Sequence, residues 1–158
     1  MDHTTIIDAY LAGIEALRAA VAGLDAARLR ARPDAGGWSI LEVVCHLADS
    51  ETLFAERMKR VLCEDRPTLP FVDPARHASV LAYDARDVAE ELALIEAVRR
   101  QTARMLRAQP ADAWRRVGMH CREGERTLEQ LLQKAVDHLK HHLAFVIAKR
   151  RLLSPVSG

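Results

Sequence analysis

Two histidines one helical turn apart, His138 and His142, have the spacing in this chain best suited to chemistry. They lie in the run Thr127 to Leu152, where Leu128, Leu132, Ala135, Leu139 and Val146 recur at steps of three and four. That period is a helix with one apolar stripe, and a spacing of four stacks two imidazoles on one face. Both rings fall at the edge of the stripe, beside Leu131 and Ala135, while His141 falls on the far side and is expected in solvent. A rigid element that fixes two ring nitrogens is half of a metal site. An isolated pair also has an ordinary reading, two polar flank residues satisfied by their neighbours, so a third ligand has to decide. His46 is the candidate, at the edge of another apolar stripe beside Val43, Ser50 and Leu53. If the two helices pack side by side, three neutral imidazoles meet at the rim of the core. Their open coordination positions would suit zinc, nickel or ferrous iron.

The elements that must bring these rings together read as four amphipathic helices. Residues 4–22 carry the first, with Ile7, Tyr10, Leu11, Ile14, Leu17 and Val21 as its stripe. A short helical piece follows at Leu24 to Arg30, then a break at Arg32 to Gly37. The second long helix starts after Ser39, with Glu42 completing a capping box and Trp38 placed to staple the entry. It runs to about Cys63 on Ile40, Val44, Leu47, Phe54, Met58 and Val61. Residues 64–83 show three prolines and no helical period, so they read as a long crossover that lets the next helix run parallel to the last. The third helix begins near Asp84 or Asp87 and ends near Pro110. Residues 110–126 are irregular, with a weak hairpin signal around Trp114, Val117 and Met119. Thr127 and Gln130 cap the fourth helix, and the tail from Ser154 should fray. The expected architecture is a single all-α domain over residues 1–158, a four-helix bundle with a long crossover between its second and third long helices.

Around the histidines, other residues are candidates for supporting roles. Glu51 interrupts an apolar face and needs a partner: an arginine such as Arg57 or one from another helix, a backbone N–H, or a histidine that it would orient. Asp49 is the other carboxylate that could orient a ligand ring. His120 and Tyr83 are candidates for proton handling, although the reading favoured for Tyr83 and His77 is a surface position. Arg99, Arg100, Arg104 and Arg107 crowd the end of the third helix and read as a solvated face rather than an anion-binding edge. Cys45 and Cys63 read as small packing residues and Cys121 as an exposed loop thiol.

Charge and composition exclude several classes. With 23 basic and 22 acidic residues the formal net charge is +1, which gives no electrostatic footprint for nucleic acid or an anionic membrane surface. No apolar run is long enough to span a bilayer. The start, Met1-Asp2-His3-Thr4, lacks the shape of a signal peptide. Three widely spaced cysteines do not make a disulfide framework. The expected setting is the cytoplasm, and the expected partner is a small molecule.

The stretch Gly37 to Glu51, with Trp38, Ser39, Glu42, His46, Leu47, Asp49 and Glu51, resembles the W-S-x-x-E-x-x-x-H-L-x-D-x-E signature of the DinB-like superfamily. Gly124 to Leu128 followed by His138 and His142 resembles that family's C-terminal helix and its H-x-x-x-H ligands. The resemblance implies an up-down-down-up bundle, a divalent metal on His46, His138 and His142, and a dimer. Members include transferases and isomerases that use a low-molecular-weight thiol, so such a thiol is a candidate cofactor here. No motif in this chain identifies a substrate. An enzyme that transfers a thiol or hydrolyses a small molecule is the leading expectation. A non-catalytic, metal-binding stress-response bundle is the alternative; a buried pocket beside an open coordination position would favour the enzyme, and a closed shell of protein ligands the alternative.

Overall fold

The structure, a computed structural model, describes residues 3–33 and 37–153. The predicted tail from Ser154 and part of the predicted break at 32–37 lie outside the described residues. Four long helices form the frame: α1 (His3–Val21), α3 (Ile40–Cys63), α5 (Val88–Arg107) and α6 (Leu128–Leu153). The short α2 (Ala26–Arg30) follows α1, capped by Asp25, whose side chain accepts the Arg28 N–H. Local chemistry sets these boundaries. Ser39 and Glu42 satisfy each other's backbone N–H groups at the start of α3, and Thr127 and Gln130 do the same at the start of α6. Asp87, not Asp84, caps α5 by accepting from the Ala89 and Glu90 N–H groups; Asp84 sits in a 3-10 turn, Tyr83–Ala85.

Each long helix packs on two others, in the cycle α1–α6–α3–α5. Burial divides the core into two clusters. Along α3 and α5 the chain passes from the cluster of Ile40, Leu47 and Ile95 to the cluster of Phe54, Met58 and Leu106. Along α1 and α6 it passes the other way, from Ile7 and Leu132 to Leu17 and Val146. Helices α3 and α5 therefore run in one sense and α1 and α6 in the other. The consequence for the site is that α3 lies directly against α6.

The crossover is more structured than its sequence suggests. It holds a short strand β1 (Thr68–Leu69) and a seven-residue helix α4 (Pro74–Val80). Pro74, which reads as a breaker, occupies the first turn of α4, where its missing N–H costs nothing, and Asp73 caps it. No residue of α4 is buried, so it has no apolar stripe to read. The predicted hairpin is present as β2 (Val117–His120) and β3 (Gly124–Thr127), antiparallel, with β1 pairing parallel to β2. At Gly118 the strand passes so close to α3 that a Cβ would stand 2.9 Å from Val61 and 2.7 Å from Leu69. This small sheet fastens the crossover to the hairpin and so closes one end of the groove between α3 and α6. Among the described residues, no helix is long and apolar enough to cross a membrane.

Three side chains depart from their expected surroundings. Cys63 is exposed at the last position of α3, beyond the final buried residue Val61, and so does not pack. Tyr83 is buried rather than on the surface. Arg99 is fully buried, whereas Arg100, Arg104 and Arg107 are exposed. Arg99 reaches Glu51, and this pair, with Tyr10, forms a polar layer between the two apolar clusters. Cys45 is buried and Cys121 exposed, as expected.

A cluster of three histidines beside a cavity

Helix α3 carries His46 and helix α6 carries His138 and His142, all three on the seam where the two helices meet. The Nε2 atoms of His46 and His138 are 3.0 Å apart. Ring centroids are separated by 4.9 Å (His46–His138), 4.7 Å (His46–His142) and 4.6 Å (His138–His142). One ring nitrogen from each lies within 4.8 Å of the others. Trp38 meets the His46 ring edge-on, and Phe54 meets His138 in the same way. His141, one residue from the cluster, is exposed.

The electrostatics suit a cation. Burial, then the neighbouring His142 and His46, pushes the His138 imidazole down to about 3. Burial, then His46 and His141, pushes His142 down to about 4. Burial lowers His46 as well, with Asp49 pulling the other way. All three rings are therefore neutral near pH 7, the state in which imidazole nitrogen binds a metal. The Nδ1 atoms of His138 and His142 are buried without a hydrogen-bond partner. Buried polar atoms of this kind cost stability unless something satisfies the ring. A converging set of neutral nitrogens, two of them on rings with an unsatisfied atom, fits a divalent ion of the zinc, nickel or iron kind.

The proposed supporting residues are distributed differently. No hydrogen bond joins Asp49 or Glu51 to a triad ring among the described residues. Asp49 accepts from the Tyr83 hydroxyl at 2.7 Å and from Arg86 at 3.0 Å, with His77 Nδ1 at 3.6 Å. Glu51 accepts from Tyr10 at 2.9 Å and from Arg99. Tyr83 meets Trp38 edge-on and makes no hydrogen bond to a triad ring among the described residues, and burial together with Asp49 pushes its phenol upward, away from proton donation near neutrality. Arg57, a possible partner for Glu51, instead donates to the Pro70 carbonyl at 2.5 Å.

His120 does reach the site. It lines the same cavity of about 520 Å³ as His46 and His138, together with Leu53, Phe54 and Phe71. Its Nδ1 accepts the backbone N–H groups of Arg122 (3.3 Å) and Glu123 (3.1 Å). With that nitrogen committed as an acceptor, the neutral ring carries its proton on Nε2. Burial, then Arg57, lowers its pKa, which keeps it neutral.

The depressed histidines make the metal-free protein acid-sensitive. The unfolded rings titrate near 6.5 and the folded ones lower, so below about 6.5 the unfolded chain takes up protons that the folded chain refuses. Stability is full above that pH and is lost as pH falls toward about 4, by at most about 1.4 kcal/mol per pH unit for each ring. Urea melts of metal-free protein at pH 7 and pH 5 should show this loss, and it should shrink in His138→Asn. An equal loss in the variant would assign the acid sensitivity to other groups.

Residues 9–146 match the family profile of the DinB superfamily. A protein of Geobacillus thermodenitrificans named "Putative metal-dependent hydrolase" is 31% identical over 140 residues, which covers 87% of this chain and 78% of that one. A Geobacillus kaustophilus protein of the same name is 32% identical over 137 residues, 85% of this chain and 76% of that one. Among solved structures, YfiT from Bacillus subtilis superposes with a TM-score of 0.88 at 26% identity, over 94% of this chain and 85% of that one. It is described as "a probable metal-dependent hydrolase with an unusual four-helix bundle topology".

Proposed function

This chain belongs to the DinB superfamily, and from that premise we propose that it is a divalent-metal-dependent hydrolase of a small molecule. The observation that carries the reading is the convergence of His46, His138 and His142, the first two of which line an open cavity. A metal held only for structure would be expected in a closed shell of protein ligands, whereas catalytic sites keep a position open to substrate. The curated relatives support the reaction class, since their names place them among metal-dependent hydrolases.

His46, His138 and His142 would hold the ion through neutral nitrogens. A divalent ion there supplies Lewis acidity toward water, a thiol or a substrate oxygen. His120 offers its Nε2–H to a substrate oxygen in the cavity and is poorly suited to act as a base, because Nδ1 is already bonded to two backbone N–H groups. Phe54 packs on His138 and helps to keep that ring in place. Asp49, Tyr83 and Arg86 form a half-buried network next to Trp38, which positions His46 from behind. The same donor set would serve transfer of a low-molecular-weight thiol, so both reactions belong in the test.

Elemental analysis of protein purified without an affinity tag should find about one zinc, nickel or iron per chain. A panel of small esters, amides and thiol acceptors, assayed with each metal, should give turnover that His46→Ala loses. Metal at the expected level with no turnover across the panel in either reaction class would move the protein to the non-catalytic alternative.

A further inference from the structure

Arg57 has an arrangement that its neighbours do not explain. It sits on α3, is only 7% exposed, and lines the cavity that His46 and His138 also line. Its Nη2 donates to the Pro70 carbonyl, and its Nε is buried without a partner. No carboxylate forms an ion pair with it among the described residues. The other cations nearby are matched. Arg99 has Glu51, Arg60 has Glu64, and both Arg126 and Lys134 lie against Glu123.

A buried guanidinium without a counter-charge is costly, because the lost hydration is not replaced by one neutral carbonyl. Burial accordingly lowers the Arg57 pKa, and the more distant carboxylates of Glu123 and Glu56 pull it back only in part. Nothing in the packing requires a charge at this position, so the missing anion is best sought in the cavity. The charged residues facing that space are Arg57, Arg126 and Lys134 against the single carboxylate of Glu123. Leu53, Phe54, Phe71 and Leu131 supply apolar wall, and Ser50 and Gln130 add uncharged polar groups. Arg57 follows His46 by eleven positions, about three helical turns, so both lie on one face of α3. The cavity thus has imidazole nitrogens in one part, a guanidinium in another and apolar surface between them.

We propose that Arg57 is a recognition site for a carboxylate, and that the small molecule taken into this cavity is an amphipathic monocarboxylate whose charge pairs with the guanidinium. The planar fork of arginine matches a carboxylate in shape and charge, and such charge-assisted bonds are stronger than neutral ones. This inference rests on the reading of the cavity as a substrate site, but its test needs neither metal nor turnover.

The probe pair is phenylacetate and its neutral amide, phenylacetamide, titrated by calorimetry or ligand-observed NMR into metal-free protein. The wild type should bind the carboxylate at least about tenfold more tightly than the amide. Arg57→Met should bring the two within about twofold. Arg57→Lys, which keeps the charge and the side-chain length but loses the fork, should cut the preference at least threefold and serves if the Met variant does not fold. No carboxylate preference in the wild type, or a preference that survives in a folded Arg57 variant, would overturn the proposal. Normal zinc binding alongside that failure would leave the metal reading standing. Carboxylate preference in a protein that binds no metal would do the reverse.

Discussion

Zinc or nickel should raise the melting temperature of the wild-type protein and leave that of His142→Ala unchanged. An ion that binds only the folded state stabilises it by about 2.7 kcal/mol at one hundred times its dissociation constant. For a domain of this size each kcal/mol moves the midpoint by roughly 2–4 °C, so the expected rise is about 5–10 °C. Removing His142 leaves one nitrogen donor on each of two helices, His46 and His138. Tight binding should then be lost, since three protein ligands are the usual minimum for such a centre. The variant should remain helical, because His142 is half-buried at the edge of the α6 stripe and is not part of either apolar cluster. His141→Ala, one position away and exposed, is the control and should keep the full metal response. The metal-linked rise should fade below about pH 6, where protons compete for the nitrogens. If His142→Ala is already unfolded at room temperature by circular dichroism, the metal is a structural element and the enzymatic reading weakens. If the variant still responds to zinc, the ligand set is a different one.

The second large effect belongs to Arg99. Replacing it with Met should destabilise the protein by about 3–5 kcal/mol, the usual consequence of breaking a fully buried ion pair from one side. The midpoint should drop by roughly 6–20 °C. Arg99 is the point at which all four long helices meet. From α5 it donates to Glu51 on α3, to the Tyr10 carbonyl on α1 at 2.5 Å and to the Ala135 carbonyl on α6 at 3.3 Å. Its guanidinium also lies 4.3 Å from the centre of the Tyr10 ring. Gly13 makes the space, since a Cβ there would stand 2.8 Å from Arg99 Nη1. Burial pushes the Glu51 carboxyl up, while Arg99 and the Tyr10 hydroxyl pull it back. Without Arg99 the raised pKa prevails, so the folded variant holds a proton that the unfolded chain releases, and its stability should fall further as pH rises through the carboxylate range. The double change Arg99→Met with Glu51→Leu should recover much of the loss, because no charge is then stranded. A double-mutant cycle by urea unfolding measures this directly. A cost below about 1 kcal/mol for Arg99→Met would show that the pair does little to hold the bundle.

The difference between these two sites marks what the amino-acid sequence could disclose. Helix periods and caps depend on residues three or four positions apart, so α1, α3 and α6 were legible to within about two residues. The same holds for the capping boxes Ser39–Glu42 and Thr127–Gln130. Helix α4 was not, because seven residues started by a proline, none of them buried, show no period. His138 and His142 share one helix, and their pairing is likewise local. His46 lies 92 positions from His138 and could be joined to it only on the condition that α3 packs on α6. The family resemblance, not the spacing, implied that condition, and the fold meets it.

Charge pairing is where sequence reasoning ran out. Arg99 reads like Arg100, Arg104 and Arg107, and Glu51 could have taken any of several cations. Which arginine is buried depends on where α5 faces α3 across 48 positions of chain, and on a glycine in a third helix that leaves room. Tyr83 and Asp49 found each other for the same kind of reason, as did the Nδ1 of His120 and the turn that follows it. Apolar burial is non-directional, so a stripe of leucines predicts its own interior position whatever lies opposite. A buried hydrogen bond or ion pair is directional and needs one partner at one distance. The sequence alone therefore determined the helices and the faces they bury. The tertiary structure decided which polar group each face meets, because that choice is made by residues far apart in the chain.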